Sequence, residues 1–333
     1  MSKLESKKGA GVEGSSNLKG ANLPAGARPW RDESLSPEKR FESYKELLRE
    51  QGRDYLAALP KATGSDIELR QIKEEVSELR NEIKRITALT AQEFVDTQPL
   101  SLEAVARELG KNFLGAAEWM KGFNVDVGAV PPIPETITRK LLITDCPIEP
   151  GKLIKETHIL VLIPKSVVLI PKSVDGEPYS VLKLYELCST KKGSGNKLIY
   201  DGGSDWKGQS WASTEQAASE WVLIPKGDPD PAKVATDKHF RSKDIAAQDK
   251  VHEKYYKEYR EVKTLEVMTM ALLYDLTYKE RLLPDYVRCE EANASGGRVC
   301  VGFFWAGGLG VRDGCGDHGS DRYGRALARK LKT

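Results

Sequence analysis

The sequence predicts an α+β fold, with an N-terminal helical, coiled-coil region followed by a mixed-sheet α+β domain. Three observations carry this expectation. Leu69, Ile72, Val76, Leu79, Ile83 and Ile86 recur at alternating spacings of three and four, the a/d seam of a coiled coil. Ile159 to Ile163 is an apolar run bounded by polar residues and Pro164, too short for a helix, and reads as a buried strand. Leu265, Met268, Leu272 and Leu276 lie at helical spacing within Lys263 to Arg281 and mark a central core helix.

In chain order, residues 1–33 are rich in Gly, Ser, Lys and Ala with few apolar anchors, and are expected to form a disordered leader. The helical region spans 34–125. Ser36 caps its first helix, Pro37 and Glu38 occupy the first turn, and Phe41, Tyr44, Leu48 and Tyr55 supply the apolar positions before Pro60 and Gly64 close it. Ser65 with Glu68 has the form of a capping box and opens the coiled coil of 65–90. Lys73, Glu75, Glu78, Arg80, Glu82 and Lys84 fill the faces away from the seam. About three heptads are marginal alone, so the seam needs either the preceding helix as a hairpin or another chain. Ser101 to Gly110 and Phe113 to Met120 have the outline of a helix-turn-helix, but the second segment lacks a cluster of Arg, Asn or Gln to read bases. An ordinary helical hairpin is the expectation there. The prolines of Val130-Pro131-Pro132-Ile133-Pro134 force an extended chain, and 126–136 reads as a Pro-rich linker between domains.

The α+β domain is expected over 137–320. Its strands are 158–163, 197–200, 221–224, 286–289, 298–304 and 309–311, and its helices 180–187, 242–259 and 263–281. Residues 321–333 read as a basic tail. Within the domain the heptapeptide Val161 to Val167 is repeated as Val168 to Val174, and a shorter copy spans Val222 to Lys226. A seven-residue offset puts matching side chains of the tandem copies on opposite faces of any one strand. Pro164 and Pro171 each lack a ladder donor. One copy is therefore expected in the core sheet and the other at an edge or in a looped excursion.

Charge and composition narrow the function classes. With 51 basic and 49 acidic residues the net charge is +2, so no global field attracts nucleic acid or an anionic membrane. No apolar run approaches the roughly 18 residues that span a bilayer, and the N-terminus has no signal-peptide core. Cys146, Cys188, Cys289, Cys300 and Cys315 are odd in number and form no CxxC pair, which favours reduced thiols in a cytoplasmic setting.

A series of motifs runs through the last two thirds of the chain. It comprises Gly115 to Trp119, Pro131-Pro132-Ile133-Pro134, Cys146 to Lys152, Glu156 to Pro164, Trp221-Val222-Leu223, Arg281-Leu282, Pro284-Asp285-Tyr286, Arg288-Cys289-Glu290 and Val301-Gly302-Phe303. In this order they resemble the uncharacterised C-terminal domain family of chlamydia-related, amoeba-associated intracellular bacteria. Three departures stand out: the doubled VLIPKSV, Val287 where the family has Thr, and a tail after Leu309 that replaces a tyrosine-rich ending. The resemblance implies a shared fold and an intracellular lifestyle, with the protein cytoplasmic or delivered to a host cell by a non-classical route. It implies no reaction.

Candidate chemistry is sparse. A cysteine nucleophile needs a base within hydrogen-bonding reach, and the available parts are Cys146 or Cys289 with His158, near Glu156. Against them stand a proline after Cys146 and a strand-end position for Cys289, both typical of packed thiols. Cys300, Cys315 and His318 with Asp313 or Asp317 outline a metal site, but with one knuckle where structural zinc uses two; a Gly-rich loop is the simpler reading, and no metal or cofactor is expected. Gly308, Gly310 and Gly314 miss the GxGxxG spacing, whose third glycine would be Asp313. Arg322, Arg325, Arg329, Lys330 and Lys332 form a basic end offset by nearby aspartates, and Tyr255, Tyr256 and Tyr259 interleave with basic residues as packing groups or a stacking platform. The leading expectation is a non-enzymatic interaction protein that binds a protein partner, or itself, through Leu69 to Ile86, in the setting of a host-directed effector. The alternative is a hydrolase or transferase using Cys146 or Cys289 with His158.

Overall fold

The computed structural model describes residues 35–58, 66–170, 176–190, 198–200, 206–227, 237–305, 307–315 and 319–332. The expected leader over 1–33, His318 and Asp317 lie outside the described residues, as do the side chains of Leu69 and Ile72. The chain divides into two compact units at Gln98/Pro99.

The first unit contains α1 (Pro37–Ala58), α2 (Asp66–Thr87) and α3 (Ala91–Asp96). Thr90 starts α3 with a capping box: its hydroxyl accepts from the Glu93 amide while the Glu93 carboxylate accepts from the Thr90 amide. Phe41 and Leu48 of α1, Leu79 and Ile86 of α2, and Phe94 and Val95 of α3 form one buried cluster, with Ile83 packed against it. The Phe94 ring lies 5.1 Å from Phe41 and 4.9 Å from Tyr44. The C-terminal half of the α2 seam is thus covered by its own chain; Val76 is only partly buried.

The second unit holds α4 (Leu102–Leu109), β1 (Phe113–Leu114), α5 (Ala116–Phe123), β2 (Val125–Asp126), α6 (Arg139–Leu142), α7 (Ile154–Thr157), β3 (His158–Ile163), β4 (Ser166–Leu169) and β5 (Glu177–Pro178). It continues through α8 (Val181–Thr190), β6 (Ile199–Tyr200), α9 (Ser210–Ser213), β7 (Glu220–Pro225), α10 (Ile245–Tyr255), β8 (Tyr259–Glu261) and α11 (Thr264–Tyr278). It ends with β9 (Tyr286–Ala292), β10 (Arg298–Trp305), β11 (Gly308–Cys315), β12 (Tyr323–Arg325) and β13 (Leu327–Arg329). These strands form two mixed sheets of order β1-β3-β7-β13-β8 and β12-β9-β10-β11-β6 and an antiparallel sheet β2-β4-β5, which with the helices make an α+β architecture.

Helix α11 sits against both five-stranded sheets, touching β1, β3 and β7 of one and β9, β10 and β11 of the other. Met268, Met270, Ala271, Leu272 and Leu273 are fully buried, so the helix is apolar on all sides up to its last turn, where Asp275, Leu276 and Tyr278 are partly exposed. Its polar residues are matched inside: Arg260 grips the buried Glu266 carboxylate with two bonds of 2.9 and 2.6 Å, and the Thr269 hydroxyl meets Tyr179 at 2.6 Å.

Several expectations are corrected. The division does not fall at the Pro-rich stretch 126–136, because Leu114, Trp119 and Phe123 share the core of β3 and the Trp119 indole donates to the Leu162 carbonyl. The prolines themselves dock on the unit, with Trp221 donating to the Pro131 carbonyl at 2.9 Å. Residues 101–120 are not a plain helical hairpin, since β1 interrupts them and pairs parallel with Leu160 and Val161. The 321–333 segment is not a tail: β12 joins β9, and β13 lies inside the other sheet between β7 and β8. Ala326 and Leu327 are buried, and alternating apolar residues carry the basic ones into strands. Of the tandem repeat, the first copy ends β3, whereas β4 straddles the junction and is the middle strand of a small sheet rather than an edge. The third copy in β7 pairs antiparallel with the first, Val222 opposite Val161.

Among the described residues no helix is long and apolar enough to cross a membrane. Leu272→Ala removes a fully buried side chain from α11 and is expected to lower unfolding free energy by about 2–5 kcal/mol in urea titration.

Candidate functional site

The residues singled out for nucleophilic chemistry are drawn into the interior. His158 opens β3 with no exposed surface, because the strand it begins runs entirely through the core. Its Nε2 lies 3.0 Å from the Tyr259 hydroxyl and its Nδ1 2.9 Å from the Thr157 hydroxyl, which lies 3.0 Å from the Leu153 carbonyl. Every group is satisfied when Nδ1–H donates toward Thr157 and Nε2 accepts from Tyr259. Burial, helped by the positive charge of Arg329, drives the imidazole pKa down to about 3, so the ring is neutral near pH 7.

Cys146 is also buried, packed with Phe240, Tyr256, Tyr259 and Leu327, and its Sγ accepts from the Glu149 amide at 3.2 Å. It neighbours Tyr259, as His158 does, and the two meet at that tyrosine without bonding to each other. Burial, then the nearby Cys146, raises the Tyr259 pKa, keeping the phenol a neutral donor. Cys289 lies elsewhere, on β9, where burial first and the Glu291 carboxylate second push its thiol well above the ordinary range. Glu156 folds back to accept from the Leu153 amide at 2.7 Å and orients no imidazole.

Cys300 and Cys315 are joined in a disulfide, correcting the reading of five reduced thiols and removing both as thiolate ligands. Among the described residues no cluster of three His, Cys, Asp or Glu side chains could hold a metal ion. Gly302 and Gly310 serve close packing: a Cβ on Gly302 would sit 2.1 Å from the Asp285 carbonyl oxygen, and one on Gly310 2.7 Å from the Tyr286 hydroxyl. Tyr256 and Tyr259 are buried and offer no stacking platform, while Arg325 pairs with Asp249 and Glu261, and Arg329 with Glu258.

The concavity that sequence reasoning missed lies at the end of the β3–β7 pair, where His158 is opposite Pro225, and beside the start of β9. It encloses about 260 Å³, just under the ~300–1,000 Å³ of drug-sized sites. Ile148, Pro225, Leu283, Pro284 and Val287 give it apolar walls, and Glu149, Thr157, Lys226, Arg241 and Asp285 its polar groups. Arg241 meets Asp285 at 2.7 Å, and Glu149 meets Lys152 at 2.7 Å. The Lys226 amide donates to the Thr157 carbonyl at 2.9 Å, fixing this lysine's backbone to the end of α7. Burial depresses the Lys226 pKa, partly offset by Glu280, with Lys152 lowering it further. The residues come from five separate stretches, so no local motif announces them.

Comparison with protein-family models, curated proteins and solved structures returned no match in any of the three.

His158 yields a pH prediction. Its folded pKa lies below the ~6.5 of an unfolded-chain histidine, so between those values the unfolded chain binds the extra proton. Stability is expected to fall as pH drops from about 6.5 toward about 3, by on the order of a few kcal/mol. In His158→Gln the part of the slope due to this group disappears, measured by urea unfolding across that pH range.

Proposed function

We propose that this protein works by binding a partner protein and not by breaking bonds. The observation that carries the reading is a separation. The open pocket contains Thr157 but none of Cys146, His158 or Cys289, whose side chains face the packed core. A general base must reach the proton it takes, and a thiol must ionise to attack. His158 is held between Thr157 and Tyr259, and the Cys289 thiol resists ionisation. The recess that faces solvent has charged side chains set among apolar walls, which suits recognition.

Self-association through Leu69, Ile72, Val76, Leu79, Ile83 and Ile86 loses support where Leu79 and Ile86 are already packed with α1 and α3 residues. A protein partner at the second unit is the reading we favour. The resemblance of its motif series supports a host-directed bacterial effector as the setting.

Iodoacetamide at neutral pH tests the non-catalytic reading. Cys146, Cys188 and Cys289 are all buried, and labelling of each is expected to track global unfolding. One cysteine modified orders of magnitude faster than the others in the native protein would restore the thiol-dependent alternative.

A further inference from the structure

We propose that the pocket beside Thr157 binds a single carboxylate carried on a small apolar body, with Lys226 as its counter-ion. This deepens the binding function proposed above and rests on it. Charge matching leads to the ligand class. Glu149 is matched by Lys152 and Asp285 by Arg241, each at 2.7 Å, so both acidic groups of the lining are already neutralised. Lys226, half-buried in the same wall, makes no ion pair among the described residues. Glu280 and Glu149 attract its ammonium without an ion pair, which leaves the lysine open to a ligand anion.

A partly desolvated ammonium without a partner is costly, and an anion entering the pocket removes that cost. Its depressed pKa is the same penalty seen in protonation. One unpaired cation fits a monoanion. A phosphate dianion would bring a second charge that Lys226 does not match into a recess lined by Ile148, Leu283, Pro284 and Val287. These walls, with Pro225, cover an aliphatic group of a few carbons, and about 260 Å³ admits little more. The Thr157 hydroxyl is directed to the Leu153 carbonyl, so the lysine, not the threonine, supplies the anion contact.

Two sources present this chemistry: the C-terminal carboxylate of a peptide ending in an apolar residue, and a free short-chain acid. The test is calorimetric titration of the full-length protein with three probes. These are an N-acetylated tripeptide ending in leucine, its C-terminal amide, and hexanoate. Saturable binding of a carboxylate probe is expected, at least tenfold tighter for the peptide acid or hexanoate than for the amide. Lys226→Met keeps the aliphatic stem and is expected to lose at least that factor, while Lys226→Arg retains most of the affinity. A peptide acid much tighter than hexanoate assigns a protein terminus as the source; equal affinity assigns the free acid.

Absence of saturable binding at millimolar probe, equal affinity for acid and amide, or an unchanged Lys226→Met would each overturn the proposal. So would displacement of the carboxylate by inorganic phosphate at lower concentration. Circular dichroism of the variants separates loss of binding from loss of fold, and none of these outcomes depends on cysteine reactivity, which tests the broader reading.

Discussion

Helix α11 must be wrapped on every side, and the second unit is arranged to do so. A helix this apolar gains stability only if each of its faces is removed from water. One sheet covers part of it through β1, β3 and β7, the other through β9, β10 and β11, and α5 and α8 close the remainder. Enclosing it also encloses its polar groups, which explains the bidentate Arg260–Glu266 contact. It explains as well why the Glu291 carboxylate accepts from both the Thr264 amide and its hydroxyl, at 2.8 and 2.7 Å. Those bonds help to satisfy polar groups drawn out of water, where an unmet buried donor or acceptor costs about 1–3 kcal/mol.

The same enclosure separates chemistry from access. His158 begins the strand that crosses the core, so the pleat and register that bury Ile159 to Ile163 hold the imidazole inward as well. Tyr259 arrives from β8, three places across the sheet from β3 with β7 and β13 between, and packs against both His158 and Cys146. The pocket forms outside this layer, where strand ends and loops leave unfilled volume. Thr157 belongs to both, its hydroxyl hydrogen-bonded within and its residue lining the recess.

Much of the second unit was legible in the sequence because its elements carry their own periodicity. The apolar run at 159–163, the Leu/Met spacing of 265–276 and the strands near 221, 286 and 298 all fall where the patterns put them. Short strands escaped. A three-residue strand such as β8 or β13 is defined by its neighbours and carries too few residues for a period. Arg325 and Arg329 made the chain's last segment look solvated, although carboxylates from Asp249, Glu261 and Glu258 meet them. The boundary was misplaced for a related reason: prolines stiffen a chain whether or not it lies on a surface, and here a tryptophan holds them down. The pocket was illegible as a site, although Glu149, Thr157 and Asp285 all fall within the motif series. Spatial convergence of strand ends is a tertiary property. A lysine in the third VLIPK copy reads as part of a repeat until its neighbours are known.

The strand order β1-β3-β7-β13-β8 has a consequence for how the protein is made. One of its interior positions is filled by residues 327–329, so a nascent chain emerging from the ribosome exposes β7 and β8 along an open slot until those residues appear. Such long-range closure is slow and leaves strand edges available for wrong pairing in the interval. The strand that joins β7 to β8 is therefore made after both, and folding helpers that shield unpaired edges have their greatest effect on the chain just before it emerges.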